Sequence, residues 1–154
     1  NIMFPMITQL EQVRQIKQMI AQLQRELTAE KVPFRSDIQY GIMVETPAAA
    51  VMSDVLAEEV DFFSIGPNDL TQYTMAADRM NAQVSDLFDP ADPAVLRLIE
   101  LTAKNAHAAG IWVGICGESA ANTALTDFYM SVGIDELSVS PASVPAVKRA
   151  IIKC

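Results

Sequence analysis

The chain has 154 residues, a length that suggests one domain, and its 51% hydrophobic and 19% charged residues are typical of a globular protein. The formal net charge of −8 argues against nucleic acid or an anionic membrane as the main partner, and no run approaches the ~18 apolar residues of a membrane span. Of the two cysteines, Cys116 and Cys154, the second is the last residue, so we expect no structural disulfide and a reducing, cytoplasmic compartment.

Short apolar runs and helical patterns alternate from the start of the chain. Ile2–Pro5 is a strand-like run, and Thr8–Glu11 after it fits a capping box at the start of a helix. The helix continues through apolar residues at helical spacing, namely Val13, Ile16, Ile20, Leu23 and Leu27. Lys31–Asp37 is predicted as the loop before the next strand.

The second and third predicted strands are each followed by a helix. Gly41–Glu45 is predicted as a strand, after which Thr46 caps a helix over about 48–58. Val60–Ile65 is predicted as the next strand, and a short helix begins at about Leu70.

The second half of the chain continues the alternation. Its predicted elements are, in order, helix Ala94–Ala109, strand Ile111–Cys116, helix Glu118–Val132, strand Leu137–Ser140 and helix Ser143–Lys153. Strands that alternate with helices imply right-handed βαβ units, so the predicted fold class is α/β with a parallel sheet.

Polar residues stand where the predicted strands end. The second strand ends in Glu45, the third leads into Asn68 and Asp69, the fourth ends in Cys116, and the fifth carries two serines. Because the carboxyl ends of parallel strands lie on one side of a sheet, these side chains are expected to converge on one face.

Several chemistries are open to these residues. Glu45 and Asp69 could share one Mg²⁺ ion, or each could merely cap a helix. Cys116 could be a proton donor, a nucleophile or a core residue. Arg79 could bind a phosphate through two hydrogen bonds, and an ordinary surface arginine fits its local pattern equally well. His107, at a helix end, is assigned to the helix dipole and not to catalysis.

Five segments occur in an order and at a spacing that match a known family: GIMVETPAAAV, DFFSIGPNDLTQYTMAADRMN, DPADPAVLRLIE, GIWVGICGES and GIDELSVSPASVPAVK. Together they resemble the C-terminal, phosphoenolpyruvate-binding domain of the Enzyme I family, the phosphoenolpyruvate-protein phosphotransferases of the bacterial sugar phosphotransferase system. The resemblance extends more loosely to pyruvate phosphate dikinase and phosphoenolpyruvate synthase. The segment TQYTMAADRMN favours the Enzyme I family over these two.

The resemblance implies a fold and partners. The family's domain is a (β/α)₈ TIM barrel, and residues 1–154 resemble about five of its βα units, those of strands four to eight. The family's upstream phosphate-binding arginines and its phosphorylated histidine then lie outside these residues. The family implies a homodimer and a histidine-containing phosphocarrier protein as partner, and we expect this chain alone to be inactive and to self-associate.

The resemblance also implies a role for each candidate residue. Glu45 and Asp69 match the family's Mg²⁺ ligands, and Asn68 matches a contact to phosphoenolpyruvate. Arg79 matches a phosphate-binding arginine, and Cys116 matches the cysteine that protonates the enolate to give pyruvate.

Two segments depart from the family's pattern. Pro67 stands where the family usually has Thr or Ser, and the CGESAAN segment places Ser119, Ala121 and Asn122 where Leu or Met, Gly and Asp are usual. These departures keep a third interpretation open beside the phosphotransferase and dikinase ones, namely a diverged, non-catalytic regulatory or oligomerisation module.

Overall fold

The computed structural model describes residues 1–154 and contains one five-stranded parallel sheet, in which the strands neighbour one another in chain order. The strands are β1 (Ile2–Phe4), β2 (Tyr40–Val44), β3 (Phe62–Ile65), β4 (Trp112–Cys116) and β5 (Glu136–Ser138). The five predicted strands are therefore confirmed, with small shifts at their ends. Their order is that of consecutive βα units in a (β/α)₈ barrel.

Helices follow every strand and cover one face of the sheet. They are α1 (Leu10–Ala29), α2 (Pro47–Val51), α3 (Ser53–Ala57), α4 (Pro67–Met75), α5 (Pro93–Ala108), α6 (Gly117–Ala121), α7 (Thr126–Ser131) and α8 (Val144–Ile151). None of them combines the length and the apolar character that crossing a bilayer requires.

Two predicted helices are each divided in two. The helix predicted over 48–58 breaks at Met52, between α2 and α3, where the Ser53 hydroxyl donates to the Ala50 carbonyl oxygen at 2.7 Å. The predicted helix Glu118–Val132 breaks after α6 because Asn122 is extended, and its side chain accepts a hydrogen bond from the Ala124 backbone at 3.1 Å. Ser and Asn side chains compete with helical hydrogen bonds in this way.

The start of α1 also differs from the prediction. The helix begins at Leu10, so the residue that reaches back is Gln12 and not Glu11. The Gln12 Oε1 accepts from the backbone N–H groups of Thr8 at 2.8 Å and Gln9 at 3.0 Å. The predicted capping box was therefore displaced by one residue.

The two faces of the sheet differ in burial. On the face toward the helices, strand residues are at most 1% exposed: Ile42, Val44, Phe63, Ile65, Val113 and Ile115. On the other face, the Phe62 and Trp112 rings stack at a centroid distance of 4.4 Å. A Cβ on Gly41 would lie 2.5 Å from the Phe62 ring, so only glycine fits beside this stack. The open face carries a cleft of about 290 Å³ that includes Ser64, Cys116, Glu136 and Ser138.

Candidate functional site

The carboxyl ends of β2, β3 and β4 bring four of the five predicted site residues to one edge of the sheet. Glu45 directly follows β2, and Cys116 is the last residue of β4. Asn68 and Asp69 lie in the first turn of α4, which begins at Pro67 and not, as predicted, at about Leu70.

Pro67 is well placed at the start of α4. It is the first helical residue, where a backbone N–H has no partner within the helix, so the missing N–H does not weaken α4. Pro67 is therefore compatible with the helix that carries Asn68 and Asp69.

Glu45 is a buried carboxylate that is held by the turn after β1. It is 4% exposed, and its Oε1 accepts a hydrogen bond from the Met6 backbone N–H at 2.7 Å. Met6 has a φ of 55°, a left-handed conformation that is unfavourable for a residue with a side chain. No pattern in the sequence pointed to Met6, because the contact depends on this unusual backbone turn.

The Glu45 and Asp69 side chains are in contact with each other. Burial raises the pKa of the Glu45 carboxyl, the hydrogen bond from Met6 opposes the rise, and the contact with Asp69 and its charge add to it. A Cβ on Gly66 would lie 3.1 Å from the Glu45 Oε2, so the glycine leaves room for the carboxylate.

Two repelling carboxylates fit a hard divalent cation. Mg²⁺ is usually held by one or two carboxylates together with water and substrate phosphate oxygens. The structure has no group of three His, Cys, Asp or Glu side chains that could hold a metal ion. Glu45 and Asp69 would thus supply two ligands and leave the other positions to water and to a ligand's oxygens.

Cys116 presents a protonated thiol beside these carboxylates. It is half-buried, and its Sγ donates to the Ile65 carbonyl oxygen at 3.4 Å. Burial raises the pKa of the Cys116 thiol, and a hydrogen bond with Ser64 opposes the rise. The negative charges of Glu45 and Asp69 raise the same pKa further. A thiol in this environment favours proton donation over attack as a thiolate.

Asn68 lies next to the turn that follows Cys116. A Cβ on Gly117 would lie 3.7 Å from the Asn68 Nδ2, and the φ of Gly117 is +82°. The glycine therefore permits the backbone conformation of the turn, and the Asn68 amide lies beside the residue that follows Cys116.

Arg79 is the predicted residue that the structure does not bring into this cluster. It lies in the loop after α4, is exposed, and makes no ion pair. Its backbone N–H donates to the Gln72 Oε1 at 3.2 Å.

Ser64 is a site residue that the sequence reasoning missed. It alternates with the buried Phe63 and Ile65 along β3 and so faces the open side of the sheet. Strict alternation along a strand was the signal that could have found it.

The sequence comparisons, with a family profile and with curated proteins, agree on one family. The family profile described as "PEP-utilising enzyme, PEP-binding domain" matches residues 1–154. A phosphoenolpyruvate-protein phosphotransferase of Haemophilus influenzae is 49% identical over 97% of the chain, and one of Streptococcus equinus is 52% identical over 94%. The chain spans only 26% and 25% of the length of these two curated relatives.

Solved structures show the same fold at low identity. A citrate lyase from Burkholderia xenovorans has a TM-score of 0.72 at 20% identity, covering 97% of this chain and 47% of that one. The CitE protein of Mycobacterium tuberculosis, in complex with magnesium and acetate, has a TM-score of 0.63 at 16% identity, covering 99% and 57%. These likenesses support the barrel-type α/β fold.

Proposed function

Because the chain belongs to the PEP-utilising enzyme family and the profile of its PEP-binding domain matches residues 1–154, we propose that the chain forms part of the phosphoenolpyruvate site of a phosphoenolpyruvate-protein phosphotransferase. In that reaction the phosphoryl group of phosphoenolpyruvate passes to a histidine of the protein, and pyruvate is released. The observation that carries the proposal is that the half-buried Cys116 thiol lies at the same edge of the sheet as the neighbouring carboxylates of Glu45 and Asp69.

The acceptor histidine lies outside this chain in the proposal. The chain has one histidine, His107, whose Nε2 lies 3.1 Å from the Asp135 Oδ2. The same Asp135 oxygen accepts from the Val113 backbone N–H near the start of β4, so His107 lies at the opposite edge of the sheet from Cys116.

Glu45 and Asp69 would hold Mg²⁺ in this site. When bound, the ion would neutralise negative charge on phosphate and enolate oxygens. The two carboxylates would fix its place, and the Met6 N–H would keep the Glu45 carboxylate oriented. The magnesium in the CitE structure, a protein of the same fold, supports a magnesium site in this architecture without fixing its ligands here.

Asn68, Arg79 and Cys116 would each have a different role toward the substrate. The Asn68 amide would donate to a substrate oxygen, and the Arg79 guanidinium, which has no ion-pair partner, would bind the phosphate. As the P–O bond breaks, its electron pair stays on the enol oxygen. The enolate's methylene carbon then takes the proton of Cys116, and solvent returns a proton to the thiolate.

The partners and the compartment belong to the same proposal. The phosphorylated histidine would pass its phosphoryl group to a histidine-containing phosphocarrier protein, and the enzyme would work in the cytoplasm as a homodimer. The open sheet face, with its Phe62–Trp112 stack, supports the expectation that the isolated chain self-associates. Light scattering tests that expectation, and a monodisperse monomer would refute it.

The test of the function is phosphoenolpyruvate turnover by the full-length protein with Mg²⁺. Asp69→Asn should reduce pyruvate release by about a thousandfold or more, because it removes a charged metal ligand. Asp61→Asn is the matched control, since Asp61 accepts from the Tyr40 backbone N–H at 2.8 Å at the opposite edge of the sheet. Equal losses in both variants would contradict the proposal, and a folded full-length protein without any turnover would favour a non-catalytic module.

A further inference from the structure

Ser119 and Tyr129 form a pair of hydroxyl groups in the core behind the candidate site. The Ser119 Oγ and the Tyr129 hydroxyl lie 2.6 Å apart, and the Tyr129 hydroxyl also donates to the Ser119 carbonyl oxygen at 3.4 Å. Ser119 is 5% exposed and Tyr129 is 0% exposed. Because an unpaired buried hydroxyl is destabilising, each residue holds the other in place.

Ser119 connects this pair to Cys116. It lies in α6, a helix of five residues that begins directly after Cys116. In so short a helix, one anchored side chain determines how the whole turn is oriented. Tyr129 lies in α7, after the break at Asn122, so the hydrogen bond joins two helices that the chain itself does not hold in line.

The opposite side of the same turn touches the site. Gly117 lies beside the Asn68 amide, and α6 packs against α4, the helix that carries Asn68 and Asp69. The turn after Cys116 is thus fixed from two sides, by α4 at the site and by Tyr129 in the core.

We propose that Tyr129, acting through Ser119, is a positioning residue that fixes the turn after Cys116 and so directs the thiol toward the substrate. The role of the thiol as proton donor rests on the proposed function, whereas the positioning of the thiol does not. Tyr129 itself touches neither the candidate metal ligands nor the thiol, and it acts only through α6.

The positioning is tested first by the reactivity of the thiol in this chain. With Cys154→Ser, Cys116 is the only cysteine, and its rate of alkylation by iodoacetamide can be followed against pH. Tyr129→Phe, which keeps the ring, should raise the alkylation rate about fivefold because the turn loosens and exposes the half-buried thiol. Ser119→Ala should do the same, and the double variant should add little, since both changes remove one interaction.

The matched control is Ser53→Ala. Ser53 in α3 is likewise a buried serine away from Cys116, and its hydroxyl accepts a hydrogen bond from the Asn105 side chain at 2.9 Å. Its loss should leave alkylation unchanged. An unchanged rate in Tyr129→Phe and Ser119→Ala, or the same rise in Ser53→Ala, would overturn the positioning claim and leave the proposed function untouched.

The second readout is turnover by the full-length protein. Tyr129→Phe should lower kcat for pyruvate release about tenfold and change KM for phosphoenolpyruvate less than about twofold, because proton transfer follows binding. If alkylation is faster but kcat is unchanged, Cys116 is not the proton donor of the reaction, and Tyr129 does not position a group that the reaction needs. The alkylation rate thus tests the positioning of the Cys116 thiol, and kcat tests its role as proton donor.

Discussion

The two edges of the sheet hold their carboxylates differently. At the amino edge, Asp61 and Asp135 each accept from a backbone N–H of the neighbouring strand, at 2.8 and 2.9 Å, and Asp135 also pairs with His107. At the carboxyl edge, Glu45 also accepts from a backbone N–H, that of Met6 at 2.7 Å, but its side chain is in contact with a second carboxylate, Asp69. The carboxylates of the amino edge thus have hydrogen-bond donors as neighbours, whereas the two at the carboxyl edge repel each other. In (β/α)₈ barrels, catalysis takes place at the carboxyl edge and the amino edge contributes to stability.

Among changes at the carboxyl edge that leave both candidate metal ligands in place, the largest expected effect is on proton transfer. Cys116→Ala in the full-length protein should lower pyruvate release by about a hundredfold or more, since general acid catalysis typically contributes that much. Binding of phosphoenolpyruvate should survive, because in the proposed reaction the thiol would act only after the P–O bond breaks. Rapid quench and calorimetry separate the two quantities, and equal losses in both would make Cys116 a packing residue.

A smaller effect is expected for Arg79, the candidate residue outside the cluster. Arg79→Ala should raise KM for phosphoenolpyruvate about tenfold, the effect of one charge-assisted hydrogen bond to phosphate. Arg97→Ala, in α5, is the control for a lost positive charge. If both variants show the same KM as the unchanged protein, Arg79 is an ordinary surface residue.

The repulsion between Glu45 and Asp69 should also affect how the stability of the chain depends on pH. The pKa of Glu45 is raised in the folded chain. The stabilisation that the Glu45 side chain contributes is therefore fully present below its pKa in the unfolded chain and is lost as pH rises through its pKa in the folded chain. Without divalent cations, the melting temperature of Glu45→Gln relative to the unchanged chain should therefore rise by a few degrees between about pH 4 and about pH 7. If the difference in melting temperature between the two proteins stays constant with pH, the pKa of Glu45 is not raised in the folded chain.

The smallest effect is expected at the amino edge. Asp135→Ala removes the partner of His107 and of the Val113 N–H, and should cost about 1 kcal/mol of unfolding free energy, because the His107 pair is exposed and the backbone bond is a single one. Phosphoenolpyruvate binding should not change. A denaturant titration gives the first quantity, and a loss of binding would show that the two edges are coupled.

The sequence predicted the sheet well because its strands are marked by apolar runs and its helices by capping residues. It predicted that Glu45, Asp69 and Cys116 would converge, since parallel strands place their carboxyl ends together. The contacts that it missed depend on backbone conformation: the left-handed Met6 directs an N–H at Glu45, and the extended Asn122 divides a helix. Single turns of this kind leave no periodic signal.

The most direct test of the central claim, that the carboxyl edge is a magnesium-dependent phosphoenolpyruvate site, is calorimetric titration of phosphoenolpyruvate into the full-length protein with and without Mg²⁺. We expect binding that requires Mg²⁺, that is lost in Glu45→Gln and that is retained in Asp61→Asn, because the Asp61 carboxylate accepts from the Tyr40 N–H at the other edge. Equal binding with and without Mg²⁺, or equal binding by the two variants, would contradict it.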